Sequence, residues 1–384
     1  MNTMVNQEQF ETKFTLIKVK DGLVKAINNF FKELLSKTAL KGILVPQELP
    51  NGSGFIPSLI IDSEPLAGAN ALAPIMPVNA SKAVSDLTRL KPSKGKIGVL
   101  LKACEHRALI ELVKLNQANL ENLVIIGIDC PGTYPIQTYS EDKGNKKLNT
   151  ESLLKGFTKF EDNTELRSSC QVCEHFAPLT TDIIIGIYGL DLKKQFLLGV
   201  NSATGEQVLE PLQLNFKGAE PEAKKRSAAI AKLTEHRLKL TKALEKETQN
   251  RIFGLENFLT ELSGCINCHN CMTVCPICYC KECFFESPTF DLEADKYLKM
   301  ASRKGALRIP SNMFLFHVTR FNHMVLSCVA CGMCEQGCPA NIPLLSIYKT
   351  VGKKAQEVFT YEPGRSLTEE IPILTFKEDE LEPK

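Results

Sequence analysis

Eight cysteines of this 384-residue chain fall into two runs of one pattern. Cys265, Cys268, Cys271 and Cys275 are followed by Pro276; Cys328, Cys331, Cys334 and Cys338 are followed by Pro339. In both runs the gaps are two, two and three residues. Thiolate sulfur is soft and anionic, which suits it to iron–sulfur clusters. A CxxCxxC loop supplies three corners of a cubane, and the fourth cysteine, before proline, ligates the other cluster in two-cluster ferredoxins. The spacing therefore predicts one 4Fe-4S cluster on Cys265, Cys268, Cys271 and Cys338, and a second on Cys328, Cys331, Cys334 and Cys275. Zinc favours CxxC pairs separated by a longer spacer, so three evenly spaced cysteines recurring with Cys-Pro argue against it.

Seven cysteines lie outside this pattern. Cys278, Cys280 and Cys283 crowd into six residues, a density that packing alone rarely produces. They could supply three corners of a further cluster, bind zinc with His317, His323 or His269, replace Cys275 as a ligand, or be buried for packing; a further metal site is the reading adopted. Cys104, Cys130, Cys170 and Cys173 make four thiols, the number one cubane needs. Dispersed ligands leave no regular signature, however, and Cys104 and Cys130 read equally well as small buried hydrophobes.

Composition narrows the setting. An odd total of fifteen cysteines with CxxC spacing argues against a disulfide framework. The opening MNTMVNQEQFETKF has no apolar signal core, and no later run approaches ~18 apolar residues, so neither a secretory leader nor a membrane span is expected. A reduced, cytoplasmic protein is the expectation. Net charge +2 and the absence of tryptophan give no reason to expect nucleic acid as a partner.

The elements that must position these thiols follow from periodicity. Asp21–Ser36 places Leu23, Ile27, Phe30, Phe31 and Leu34 on one helical face. Gly42–Val45, ended by Pro46, and Ile56–Asp62 read as strands, and Ser81–Leu90 as a helix. From Gly95 the pattern is strand (Lys96–Leu101), helix (Glu105–Leu120), strand (Val124–Ile128). The continuous apolar run of the second strand marks a parallel α/β sheet covered on both faces. Cys104 and Cys130 then lie past the carboxyl ends of two strands, where α/β sheets hold ligands. Thr181–Gly189 is a further apolar segment, and Ser202–Gly205 between Phe196–Val200 and Glu206–Leu209 reads as a hairpin. Ala219–Thr248 is a charged helix whose basic run, Lys224, Lys225 and Arg226, is either a dock for an acidic partner or for flavin phosphates, or a solvated face; the solvated face is preferred. Leu292–Met300 and Met313–Val325 also look helical.

Several of these features together resemble a known family. Lys-Ala-Cys104 before the RALIEL helix, Gly-Ile-Asp-Cys130 at a strand end, Cys170-x-x-Cys173, then TDIIIGIYG are similar to the β subunits of deazaflavin-reducing hydrogenases and related formate dehydrogenases. Ala103 and Thr181 depart from that pattern, which has Pro and Ala there. The Gly68–Asn79 segment resembles the family's stretch before its first βα unit. The resemblance implies that Cys104, Cys130, Cys170 and Cys173 share a 4Fe-4S cluster, and that FAD lies near the Gly186–Gly189 strand, with Gly186, Gly189 and Asn70 as its contacts. From the residues alone, the two glycines read instead as close-packing or bend positions, and no GxGxxG follows a strand. The carboxyl-terminal runs, their long spacer and the tail Asn341–Ala355 resemble the α-helical ferredoxin module of heterodisulfide reductase and succinate dehydrogenase iron–sulfur subunits.

The expected organisation is an α/β flavin-binding domain with a parallel or mixed sheet over 1–215, a charged helical linker over 216–252, and a mainly α-helical two-cluster ferredoxin domain over 253–384. No nucleophile–base constellation, GxSxG, HExxH or Walker A motif is present, so chemistry belongs to cofactors. The expected function is an oxidoreductase subunit that converts two-electron flavin or hydride chemistry to one-electron iron–sulfur transfer. Its partners would be other subunits of a redox complex of formate dehydrogenase, hydrogenase or heterodisulfide reductase type, with a deazaflavin- or nicotinamide-type carrier or an electron-transfer protein. A flavin-free ferredoxin relay and a zinc-bearing scaffold are the alternatives.

Overall fold

The computed structural model describes residues 10–142, 147–159, 163–178, 180–290, 293–305 and 312–374. The chain divides into two compact units, Met1–Leu240 and Thr241–Lys384. In the first unit the order is β1 (Lys13–Lys18), α1 (Leu23–Lys37), β2 (Gly42–Glu48), β3 (Phe55–Ile60), α2 (Ala80–Thr88), β4 (Ile97–Lys102), α3 (Ala103–Lys114) and β5 (Leu123–Ile128). Then come α4 (Ile136–Glu141), α5 (Thr150–Lys159), α6 (Ser168–Gln171), β6 (Ile183–Gly186), β7 (Gln195–Val200), α7 (Ala203–Leu209) and the long α8 (Glu220–Ile252).

The strands form one mixed sheet in the order β1-β7-β6-β5-β4-β2-β3. Its middle four, β2, β4, β5 and β6, run parallel, while β3, β7 and β1 add antiparallel edges. Sequence alternation fails in β5 because all six of its residues are buried, as in a strand covered on both faces. One face packs under α1 through Ile27, Phe31 and Leu34 against Ile126, Ile128, Ile185 and Leu198. The other packs under α2 and α3 through Val84, Leu109 and Leu112 against Val99, Leu101 and Ile125.

Register carries the functional consequence. Lys102 pairs with Ile128, and Ile128 with Ile185, so β4, β5 and β6 end at one edge of the sheet. Cys104 and Cys130, each two residues past a paired position, both lie just beyond that edge. Glu105 fixes the turn between β4 and α3: one carboxylate oxygen accepts the Lys102 N–H at 2.8 Å and the other the Ala80 N–H at 3.0 Å. Glu105→Ala leaves two buried donors unpaired and should cost about 2–4 kcal/mol, read as a lower midpoint in urea unfolding.

Several boundaries differ from the sequence reading for physical reasons. β2 runs through Pro46 to Glu48 because its parallel ladder with β4 stops at Leu44; beyond that point Pro46 faces Pro57 and owes no donor to a second neighbour. α3 starts at Ala103 and stops at Lys114, and Asn116 follows with φ 57°. The expected hairpin is overturned: Ser202 caps α7, its hydroxyl accepting the Gly205 N–H at 3.0 Å, and Glu206–Leu209 is helical. The solvated reading of the basic run fails at Arg226, which is buried. β1 was not anticipated in the polar amino-terminal stretch.

The second unit is helical. It contains α9 (Leu255–Leu262), α10 (Asn270–Thr273), α11 (Ala294–Lys304), α12 (Met313–Met324), α13 (Met333–Gln336) and α14 (Leu344–Val358). The helix expected from Leu292 is observed from Ala294, residue 292 lying outside the described residues. Among the described residues no helix is long and apolar enough to cross a membrane.

Candidate metal centres

The two CxxCxxC loops have the same backbone shape. Positive φ falls at Asn267 (57°) and His269 (58°) in the first loop, and at Ala330 (53°) and Gly332 (71°) in the second. These are the residues immediately before and after the middle cysteine of each run. A left-handed residue on each side turns the chain tightly enough for three thiols two residues apart to converge. Each loop then enters a single helical turn, α10 or α13, which carries its third cysteine, and the fourth cysteine follows that turn.

The thiols sort into two cavities. One, of about 310 Å³ and open to solvent, is lined by Cys265, Cys268, Cys271 and Cys338 with His317 and Phe316. The other, of about 450 Å³, is lined by Cys328, Cys331, Cys334 and Cys275 with Arg320 and Tyr348. Each cavity thus takes three cysteines from one run and the fourth from the other. Among the described residues no three His, Cys, Asp or Glu side chains converge closely enough to hold a single ion.

Burial makes Cys271 and Cys334 reluctant to ionise without a metal. It pushes Cys271 up to about 11 and Cys334 well above its ordinary value, with the Arg320 charge opposing both shifts and neighbouring thiols adding to them. Arg320 donates from Nη1 to Cys271 Sγ and from Nη2 to the Cys271 carbonyl, both at 3.0 Å. His317 Nε2 lies 3.4 Å from Cys265 Sγ, and burial, then the nearby Arg320 and His269, lower its pKa to about 4, so the ring is neutral at pH 7. The Arg320 Nε and His317 Nδ1 atoms are buried with no protein partner. Orphaned polar atoms beside two thiol-lined spaces fit clusters whose sulfurs accept hydrogen bonds.

His269 stacks on Phe316, its ring centroid 4.3 Å away. His269 and His317 therefore border the first cavity. Cys278, Cys280 and Cys283 line neither cavity. Burial, together with the charges of Cys275, Cys280 and Cys283 and against that of Arg320, pushes Cys278 up to about 12, so these four thiols form one neighbourhood.

In the first unit, Cys130 lies within the electrostatic reach of Cys170 and Cys173. Burial drives Cys130 up to about 12 against the opposing Lys102 charge. Cys170 goes the other way: burial would raise it, but the Arg167 charge and hydrogen bonds from Thr133 and Arg167 outweigh that. Its sulfur has Arg167 Nη2 at 3.6 Å, Thr133 Oγ1 at 3.7 Å and Ser169 Oγ at 4.0 Å. Cys104 sits in the first turn of α3.

The loops bearing these thiols are held by residues that sequence reasoning missed. Asp129, fully buried beside Cys130, accepts the Ile187 N–H at 2.8 Å, the Tyr188 N–H at 3.3 Å and Arg226 Nε at 2.9 Å on one oxygen, and Arg226 Nη2 at 2.6 Å on the other. Arg237 donates to the Cys173 carbonyl at 3.1 Å. Both arginines come from α8, where a uniformly charged sequence hid them; the signal lay in Asp129, an acid between an apolar strand and a cysteine.

The proposed flavin contacts meet protein. A Cβ at Gly186 would stand 2.8 Å from Arg226 Cδ, and one at Gly189 (φ 69°) would stand 2.7 Å from the Lys225 carbonyl. Both glycines let α8 approach. Asn70 donates to Thr150 Oγ1 at 2.8 Å and accepts the Leu72 N–H at 3.0 Å, so its amide ties its loop to the start of α5.

Residues 261–342 match the 4Fe-4S dicluster domain family. The chain is 29% identical over 384 aligned residues to "F420-dependent formate dehydrogenase subunit beta" of Methanocaldococcus jannaschii, covering 92% of this chain and 96% of that protein. It is 30% identical over 376 residues to "F420-dependent formate dehydrogenase 1 subunit beta" of Methanococcus maripaludis, covering 88% of this chain and 90% of that one. The chain belongs to this β-subunit family. As a family member with a dicluster domain, it is an iron–sulfur electron-transfer subunit of an oxidoreductase and carries 4Fe-4S clusters. A solved chain from the F420-reducing nickel–iron hydrogenase complex of Methanosarcina barkeri is similar at a TM-score of 0.45 and 14% identity, covering 65% of this β-subunit homologue and 94% of that chain.

Proposed function

We propose that the chain is the β subunit of a cytoplasmic, deazaflavin-dependent formate dehydrogenase, passing electrons between the formate-oxidising subunit and the deazaflavin. The observation that carries the electron-relay part is the sorting of eight thiols into two cavities, each with three cysteines of one run and the fourth of the other. Cys265, Cys268, Cys271 and Cys338 would hold one 4Fe-4S cluster, and Cys328, Cys331, Cys334 and Cys275 the second. Cys104, Cys130, Cys170 and Cys173 would hold a third at the carboxyl edge of the sheet. The names of the relatives support formate and the deazaflavin as the two ends of the path.

A deazaflavin carries hydride and clusters carry single electrons, so a converter is needed between them. FAD in the amino-terminal unit would supply it, accepting two electrons together and releasing them singly. The contacts proposed for it are Gly186, Gly189 and Asn70; α8 passes close over both glycines and the Asn70 amide is engaged by Thr150 and Leu72, which leaves backbone contacts to the cofactor. The chain's own groups divide the remaining work: Lys102 places a positive charge by Cys130, Arg167 and Thr133 hold the Cys170 sulfur as acceptor, and Arg237 fixes the Cys173 loop.

Anaerobic purification with cofactor analysis tests these readings. The full proposal expects about twelve iron and twelve sulfide per chain, one acid-released FAD, and a co-purifying larger subunit. Iron and sulfide without FAD establishes the relay; zinc without sulfide overturns both.

A further inference from the structure

Arg320 stands apart from the other cations of the second unit. Its side chain is only 5% exposed, and it has no carboxylate partner among its hydrogen bonds or ion pairs. It packs between two rings, its guanidinium 5.2 Å from the Tyr348 centroid and 5.5 Å from that of Phe316. A cation buried this far from water is costly unless something anionic compensates it. The groups available are sulfurs. Nη1 reaches Cys271 Sγ at the first cavity, and the same side chain lines the second beside Cys275 and Cys334. Its Nε–H is buried and unclaimed by any acceptor among the described residues.

We infer that Arg320 is a shared electrostatic regulator of both carboxyl-terminal clusters, raising the reduction potential of each. This rests on the proposed assignment of a cluster to each cavity. Reducing a 4Fe-4S cluster adds one electron and one negative charge to a cubane that already carries its thiolates. A fixed guanidinium beside that charge favours the reduced state. Charge-assisted hydrogen bonds to sulfur act in the same direction, and hydrogen bonding and net charge are among the factors that set cluster potentials. Arginine does not release its proton, so no proton accompanies the electron and the effect is independent of pH in the working range. Its planar fork suits the position: Nη1 and Nη2 serve the Cys271 sulfur and carbonyl while the same side chain lines the other cavity. Lysine, with a single point of charge, could not serve both.

The test is a potentiometric EPR titration of the cluster-loaded full chain and its Arg320→Gln and Arg320→Lys variants, with iron and sulfide measured on each. Wild-type iron content tests the cluster assignment separately: zinc or fewer than two carboxyl-terminal clusters would remove the premise and the inference together. With both clusters present, Arg320→Gln should lower both midpoints. The expected size is about tenfold or more in the reduced-to-oxidised ratio at fixed potential, roughly 60 mV per tenfold for a one-electron couple. Arg320→Lys, which keeps the charge, should retain both clusters and show smaller downward shifts. Should Arg320→Gln fail to load iron, the Arg320→Lys titration decides alone. Unchanged midpoints in a loaded variant, or a shift confined to one cluster, would overturn the inference.

Discussion

Cys338→Ser is expected to destroy the cluster of the first cysteine run, although Cys338 belongs to the second. Cys338 shares a cavity with Cys265, Cys268 and Cys271, and its charge bears on Cys265 and Cys271. Serine offers a hard oxygen that stays protonated near neutral pH, where iron in a sulfur cubane needs a soft thiolate. Loss of one corner should therefore release about four iron atoms or leave a damaged cluster. The discriminating measurement is a comparison of EPR spectra. Cys338→Ser should lose the same signal as Cys268→Ser and keep the signal that Cys331→Ser loses. If it matched Cys331→Ser instead, each run would hold its own cluster and the crosswise arrangement would fail. Electron transfer through the chain should fall with it by orders of magnitude, since removing one carrier interrupts a linear path.

What could be read in advance divides along physical lines. The eight regularly spaced cysteines were legible because a cubane corner-loop needs three thiols at fixed short intervals, and no other demand produces that pattern twice. The parallel strands were legible because Leu123–Ile128 must be apolar throughout to be covered on both faces. The arginines were not. Arg226 follows two lysines, of which Lys224 is exposed and Lys225 pairs with Glu222 at 3.7 Å, so composition marks all three as surface. Its burial depends on Asp129, 97 residues earlier in the chain. Arg320 is hidden in the same way, within an apolar helix where a lone cation reads as a solvated edge. Gly186 and Gly189 were recognised as unusual, but only the placement of α8 shows what passes over them. Short-range signals fix loops and strands; the long-range pairing of a charge with its partner leaves no spacing to read.

Arg226→Ala is expected to give the largest loss of stability of any single change in the amino-terminal unit, about 3–5 kcal/mol. Asp129 is fully buried and its charge is balanced by two Arg226 hydrogen bonds, at 2.6 and 2.9 Å, together with the Ile187 and Tyr188 amides. Removing the guanidinium strands a carboxylate in the interior. Restoring the balance with Asp129→Ala in the same chain should recover part of the loss but not all of it, because the two amides then lack an acceptor. The measurement is a double-mutant cycle on urea midpoints, with an interaction of about 1 kcal/mol or more expected for groups in direct contact. Additive losses would show that the pair contributes only as packing. The same cycle reaches function, because Asp129 joins the end of β5 to the residues after β6, and Cys130 is its immediate neighbour. The iron assigned to Cys104, Cys130, Cys170 and Cys173 should therefore fall in Arg226→Ala while both carboxyl-terminal signals persist. Retention of that iron at full level would mean that the Cys130 loop keeps its shape without α8, leaving the ion pair a purely structural bond between helix and sheet.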